Sequence, residues 1–97
     1  MNDGTVLVYC CAPDIVWVKD AGQIILVDGK AGRSWLLSGW KAAAWDLLSL
    51  GYLAGDISRF LALLLDVTPE TACGTLTSIL DEWEGNGMVC GAGRGHG

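Results

Sequence analysis

The first half of the chain alternates between short apolar runs and turns rich in glycine. Gly29 and Gly32 are of the kind that supply positive φ between two strands at hairpin spacing. Residues 24–27 are apolar on both sides, which predicts that both faces of the sheet are at least partly covered. The pattern predicts a three-stranded antiparallel meander at residues 15–19, 23–28 and 33–37, with a lead-in run at 5–11 that adds an irregular edge.

The second half shows the 3.6-residue period of amphipathic helices. Ser38 can accept a hydrogen bond from the first amides of a helix at residues 40–50, which Gly51 ends. A second helix is predicted from about residue 55 to residue 67. Thr68-Pro69 starts a third, which residues 85–87 end. The apolar stripes are Trp40, Ala43, Ala44, Leu47 and Leu48 in the first helix, Ile57, Phe60, Leu61, Leu64 and Leu65 in the second, and Ala72, Leu76, Ile79, Leu80 and Trp83 in the third.

Together these elements predict an α+β fold of winged-helix type, a three-stranded antiparallel β-sheet followed by a three-helix bundle. Residues 1–13 are predicted to form the lead-in strand, residues 14–90 the folded domain and residues 91–97 a disordered, glycine-rich tail. A chain of 97 residues supports one core and no deep cleft between domains. No apolar run approaches the roughly 20 residues that span a bilayer, and the start lacks the basic flank of a signal peptide. We therefore expect a cytoplasmic protein with no membrane partner.

Composition argues against several classes of chemistry. The net charge is -5 and only six residues are basic, which disfavours nucleic acid as a partner. The only histidine, His96, lies in the predicted tail, so no histidine-based relay or metal site is expected in the folded part. Asp81 and Glu82 are helix neighbours that do not face one another, and no phosphate-binding glycine motif occurs. We expect no catalytic activity, no cofactor and no metal.

The four cysteines lack the C-x-x-C spacing of zinc sites. Adjacent residues of a strand point to opposite faces, so the first two of them cannot share a ligand site. We expect reduced thiols, at least one of which packs as a small hydrophobe. The residues concerned are Cys10, Cys11, Cys73 and Cys90.

Several stretches form an ordered set across residues 14–89. They are Ile25-Leu26-Val27-Asp28, Gly32-Arg33-Ser34-Trp35-Leu36-Leu37, Trp40, residues 43–48, Gly51, Ile57 and residues 76–89. In this order and spacing they resemble the PqqD-like family of leader-peptide recognition domains, the precursor peptide recognition elements that serve the biosynthesis of ribosomally made, post-translationally modified peptides. The hairpin and the strand after it look most like the stand-alone recognition proteins of lasso-peptide systems.

The resemblance implies a non-catalytic peptide chaperone without cofactors, a monomer or weak homodimer. It would bind the leader of a precursor peptide and deliver it to a leader peptidase, a cyclase or a radical SAM enzyme. The residues themselves agree, since a catalytic set is missing and tryptophans are abundant. A winged-helix DNA-binding module and a structural interaction module remain alternatives, although the acidic balance and the lack of a basic recognition helix weigh against the first.

The site follows from the order of the strands. The last strand of a meander has a free edge, which a peptide can complete as an antiparallel strand along residues 33–37 while its side chains contact the third helix. Trp35, Leu37, Leu76 and Trp83 are the preferred anchors, and Arg33 can contact an acidic leader residue. Ile79 and Leu80 also suit the core. The predicted site comprises Arg33, Ser34, Trp35, Leu36, Leu37, Ala72, Leu76, Ile79, Leu80 and Trp83.

Overall fold

A computed structural model describes residues 9–91 of the chain. Residues 5–8 of the predicted lead-in, His96 and the glycine-rich tail from residue 92 onward lie outside the described residues. Within the described part, no helix is long and apolar enough to cross a membrane. The elements are β1 (Tyr9–Cys11), β2 (Ile15–Asp20), β3 (Gln23–Asp28), β4 (Arg33–Ser38), α1 (Gly39–Ser49), α2 (Ala54–Leu65), α3 (Pro69–Gly85) and β5 (Val89–Gly91).

The predicted three-stranded antiparallel meander is confirmed, with the strand order β2-β3-β4. Ala21 and Gly22 join β2 to β3 in a two-residue turn in which both φ angles are positive, at 51° and 81°. Such a turn has the twist that a tight hairpin needs. Burial alternates strictly along β3, where Ile24 and Leu26 face the helices. The sheet therefore packs against the helices through one face, as expected of an α+β fold.

The turn between β3 and β4 is held by the side chain of Asp28, which is 9% exposed. Its Oδ1 accepts hydrogen bonds from the backbone N–H groups of Lys30 and Ala31, both at 3.0 Å. The backbone N–H of Gly32 also donates to the Asp28 carbonyl oxygen at 2.8 Å, and Gly32 has a φ of 71° that glycine adopts without strain. The Asp28 carboxylate thus accepts hydrogen bonds from two turn amides that have no backbone acceptor between the two strands.

We expect Asp28→Ala to lower the free energy of unfolding by about 1–2 kcal/mol, because two amides lose their acceptor. Asp28→Asn keeps an oxygen acceptor and should lose less than half of that amount. Urea unfolding followed by circular dichroism measures both. Equal stability of the two variants would contradict this account of the turn.

The helix starts differ from one another. Thr68 caps α3 as predicted, since its hydroxyl oxygen accepts from the backbone N–H of Thr71 at 3.2 Å and Pro69 follows it. The prediction for Ser38 is wrong, because its side chain makes no capping hydrogen bond. Ser38 is the extended last residue of β4, and Gly39 makes the turn into α1 with a φ of 61°. The strand-to-helix junction therefore depends on a left-handed glycine rather than on a hydroxyl.

Three tryptophans pack against one another, two of them buried, Trp45 and Trp83, and one partly buried, Trp17. Trp45 is fully buried between Trp17 and Trp83, in edge-to-face contacts with ring centroids 5.9 Å and 5.3 Å away. These contacts join the sheet, α1 and α3. The sequence stripe predicted for α1 omitted Trp45 and included Leu47, which is only partly buried. The helix is thus rotated so that its largest side chain faces the other two tryptophans.

The expectation that both sheet faces are covered is wrong for the described residues. The face away from the helices carries apolar side chains that are 43–65% exposed, namely Val16, Val18, Ile25, Val27 and Leu36. The stripe on α2 is also only half buried, since Ile57 and Leu61 pack inside while Phe60 and Leu64 stay exposed. The helices cover only one side of the sheet. The sheet and α2 therefore carry more apolar side chains than the core can bury.

The lead-in strand does not extend the meander. β1 pairs with β5 in a separate two-stranded antiparallel sheet, so its expected place at an irregular edge is wrong. The backbone N–H of Ala12 donates to the Met88 carbonyl oxygen at 2.9 Å and continues the pairing by one residue. Tyr9, Met88 and Val89 are buried. This pairing attaches both ends of the described chain to the same core.

Candidate functional site

The outer edge of β4 has no neighbouring strand among the described residues. The residues that flank the two-residue turn before β3, Asp20 and Gln23, form a hydrogen-bonded pair. Successive residues of β3 then direct their backbone hydrogen bonds alternately to β2 and to β4. In the observed register, this alternation directs the backbone N–H and C=O groups of Leu37, Trp35 and Arg33 toward β3. The backbone N–H and C=O groups of Ser34 and Leu36 consequently point away from β3, to the open edge. That edge is a row of unmade hydrogen bonds.

α3 approaches β4 near both ends of the strand, with the opposite chain direction. At one end, an Arg33 Nη2 atom donates to the carbonyl oxygen of Asn86 at 2.6 Å and joins the start of β4 to the end of α3. At the other end, an open cavity of about 330 Å³ separates the start of α1 from α3. We call the space between these ends the β4–α3 groove. The cavity is lined by Trp40, Lys41, Thr75, Ser78, Ile79 and Glu82.

Cations and aromatic rings stand at both ends of the β4–α3 groove. The Arg33 guanidinium lies 5.0 Å from the centroid of the Trp35 ring, and the Lys41 ammonium lies 5.8 Å from that of Trp40. Within the described residues, neither cation is in a salt bridge, whereas Lys19 pairs with Asp46 at 3.1 Å. The groove thus offers flat apolar surfaces with adjacent positive charge, which suits a peptide that carries both apolar and acidic side chains.

The predicted β4 residues lie at this edge, on two faces of the strand. Arg33 and Trp35 point to the helix side, where Trp35 is partly buried, and Leu37 continues that side into the core. Ser34 and Leu36 point to the outer side and are exposed. The strand therefore offers a peptide its main-chain groups at the edge and the side chains of Arg33 and Trp35 on the side of α3. The Leu37 side chain is buried and offers little contact surface.

The predicted α3 residues are placed in the core instead. Ala72, Leu76, Ile79, Leu80 and Trp83 are each at most 5% exposed. Leu76 and Leu80 face a cavity near α2, and Trp83 packs on Trp45. Leu76 and Trp83, preferred as anchors from the sequence, therefore do not line the cavity at the end of the β4–α3 groove. Only Ile79 also reaches the cavity at the end of the β4–α3 groove.

One side of the groove is formed by polar residues of α3 that were not predicted from the sequence. Thr75, Ser78 and Glu82 line it at the helical spacing i, i+3 and i+7, on the side of α3 next to its buried stripe. The position of these residues in the sequence was a usable signal. The centre of an amphipathic helix's apolar face packs in the core, so a groove beside the helix is lined by the residues at the flank of that face. The other missed residues are Trp40 and Lys41, from the start of α1.

The groups at the site are of kinds that proteins use for recognition. Among residues 9–91, no group of three or more histidine, cysteine or acidic side chains is placed to hold a metal ion. The groove contains one carboxylate, Glu82, two cations, aromatic rings and open main-chain hydrogen bonds. This arrangement can hold an extended polypeptide by β-augmentation, in which main-chain bonds give affinity and flanking pockets give specificity.

No protein-family model and no curated protein matches the chain. Solved structures do match. One is a lasso peptide synthetase B1 complexed with its leader peptide, with a TM-score of 0.78 and 23% identity over 86% of this chain and 98% of that one. Another is TbiB1 in complex with the TbiA(beta) leader peptide, with a TM-score of 0.80 and 16% identity over 90% of this chain and 99% of that one. The fold expected from the residue pattern is thus confirmed, and it is the fold of two proteins solved with leader peptides bound.

Proposed function

We propose that this chain is a peptide-binding protein that recognises the leader region of a ribosomally made precursor peptide. The observation that carries the proposal is the open edge of β4 beside α3, with the amides of Ser34 and Leu36 directed outward. The fold is shared with two proteins whose structures contain leader peptides, which supports the same occupant here. The leader would add as an antiparallel fourth strand and place alternate side chains over Trp35 and into the β4–α3 groove.

The bound leader would hold the rest of the precursor for a second protein. We propose that the modification itself belongs to a partner enzyme. A leader peptidase, a cyclase or a radical SAM enzyme would each fit this division of work. We propose that the chain acts without a cofactor, as a monomer or weak homodimer.

A DNA-binding role is not favoured, although winged-helix folds often have one. α3 would be the recognition helix, and it carries Glu70, Asp81, Glu82 and Glu84 without any lysine or arginine. Phosphate contacts supply most of the affinity of DNA-binding proteins, and they require basic side chains on the helix that approaches the groove. Each acidic residue on α3 would instead be repelled by the phosphates.

The test starts from the neighbouring genes, which should include a short precursor. Its leader, made as a synthetic peptide, is titrated into the isotopically labelled full chain while amide hydrogen exchange is followed by NMR. We expect the amides of Ser34 and Leu36 to become protected, because a peptide strand supplies their missing acceptors. The amide of Lys19, directed to the opposite edge by the same alternation, should not change. Absence of binding, or protection at the Lys19 edge alone, would contradict the proposal.

Arg33 tests the charge contribution to binding. We expect Arg33→Ala to weaken leader binding by roughly fivefold, about 1 kcal/mol, because it removes a cation and the hydrogen bond to Asn86. The loss should shrink as salt is added, since the groove is open to solvent. Lys30→Ala removes the same charge at the hairpin turn and is the matched control. Calorimetric titration at low and high salt measures both, and equal effects of the two variants would rule out a local contact at Arg33.

A further inference from the structure

The small sheet at the two ends of the described chain brings two cysteines together. In the β1–β5 pairing, Cys10 is directly opposite Cys90. Directly opposed residues of an antiparallel pair have side chains on the same face, and both of these thiols are exposed. Their neighbours Tyr9 and Val89 are buried on the other face. Residues far apart in sequence thus form an adjacent pair of accessible thiols.

The expected Cα spacing of the pair permits a disulfide. The hydrogen bond from Ala12 to Met88 marks a hydrogen-bonded pair, and alternation makes the Cys10–Cys90 pair another. The Cα atoms of such pairs are about 5.5 Å apart, which lies inside the disulfide range of about 4.4–6.8 Å. The Cβ atoms of hydrogen-bonded pairs are further apart than those of other pairs, so a bond there is strained and easily reduced.

The other thiols compete poorly for this reaction. Cys11 points to the opposite face and is partly buried, and burial together with the adjacent Cys10 thiol raises the pKa of Cys11. A raised pKa lowers the thiolate fraction that can attack a disulfide. Cys73 is exposed on α3 and lines a cavity with Tyr9, which faces away from Cys10. The strand register therefore favours Cys10 and Cys90, and the raised pKa of Cys11 disfavours the thiol next to them.

We propose that Cys10 and Cys90 are a redox pair that forms a reversible cross-strand disulfide by exchange with a low-molecular-weight disulfide such as oxidised glutathione. One thiolate attacks the external disulfide, forms a mixed disulfide and releases one glutathione thiol. The second thiolate then displaces the other glutathione, so the protein loses two protons and two electrons and two reduced glutathione molecules form. An excess of reduced thiol reverses both steps.

The bond would join the two ends of the described chain around the three-stranded sheet and all three described helices. A cross-link that closes so long a loop stabilises the fold chiefly by restricting the unfolded chain. Strain in the bond offsets part of this gain and sets a reduction potential above those of ordinary structural disulfides. The two cysteines would thus be free thiols in a reducing compartment and would form the disulfide under oxidising conditions.

The experiment exposes the full chain, without denaturant, to oxidised glutathione, and then blocks free thiols by alkylation. We expect the intact mass, measured before alkylation, to fall by two hydrogens, proteolytic mapping to join Cys10 to Cys90, and the melting temperature to rise by at least about 5 °C. Dithiothreitol should reverse all three changes. Cys73→Ser should behave like the parent, and Cys90→Ser should retain a glutathione adduct on Cys10 without the thermal shift.

Other products would overturn the proposal. A bond between Cys10 and Cys11 or between Cys11 and Cys73 would show that the register does not decide the pairing. Stable glutathione adducts on both Cys10 and Cys90 of the parent chain would show that the two thiols cannot reach one another. Disulfide-linked dimers as the main product would assign Cys10 and Cys90 to contacts between molecules instead.

Discussion

Replacement of Trp83 by alanine is expected to lower the free energy of unfolding by about 3–5 kcal/mol, among the largest stability changes we expect from a single substitution. Trp83 is 2% exposed and packs edge-to-face on Trp45, so the truncation removes a ring contact and leaves a cavity in the centre of the core. A domain of this size is stable by about 5–15 kcal/mol, so this variant should be partly unfolded at moderate temperature.

Trp40→Ala is the matched control, because it removes the same indole from the partly buried rim of the β4–α3 groove. We expect the free energy of unfolding of Trp40→Ala to exceed that of Trp83→Ala by at least about 2 kcal/mol. Urea unfolding followed by far-ultraviolet circular dichroism measures both. The sequence alone made Trp83 a candidate peptide anchor. If Trp83→Ala kept the stability of the parent and lost only leader binding, the core assignment would be wrong and the anchor role would be restored.

Leu36→Pro is expected to weaken leader binding by at least about 30-fold, or roughly 2 kcal/mol. The Leu36 amide points to the open edge of β4, so proline removes a donor for the peptide while the ladder to β3 keeps its hydrogen bonds. The proline ring also occupies the place where the peptide backbone would pack. Edge strands tolerate proline, so the fold should survive.

Lys19→Pro is the control on the opposite edge of the sheet, where the same alternation directs the Lys19 amide outward from β2. It also removes a surface salt bridge with Asp46, which is worth at most about 1 kcal/mol. Calorimetric titration of the leader into both folded variants should show a loss for Leu36→Pro alone. Equal affinities would move the peptide to another surface, and a loss for Lys19→Pro alone would move it to β2.

The parts of the fold that local chemistry decides could be predicted from the sequence. The β3–β4 hairpin needs only Asp28, a glycine and two apolar runs, and the start of α3 needs only Thr68 and Pro69. The open edge of β4 followed from the order of the strands. These features depend on neighbours within a few residues, and their signals are strong.

The rest depends on contacts between distant residues. Trp45 was missed because α1 is apolar on more than one side, and only Trp17 and Trp83 determine which side turns inward. The pairing of β1 with β5 joins opposite ends of the described chain, which no local pattern encodes. The polar residues on the flank of α3 gave no apolar signal, so the site predicted from the sequence used the centre of the α3 stripe, Leu76 and Trp83, and omitted the flank that lines the cavity.

The separation of the tryptophans into two environments makes the protein its own optical probe. Trp45 and Trp83 are at most 2% exposed and pack edge-to-face, so their fluorescence should be blue-shifted and poorly quenched by acrylamide as long as the core is intact. Trp35 and Trp40 are only partly buried beside the groove, so their emission should be red-shifted and accessible to quencher. A bound peptide would shield the second set and leave the first unchanged, which would separate binding from unfolding in one spectrum.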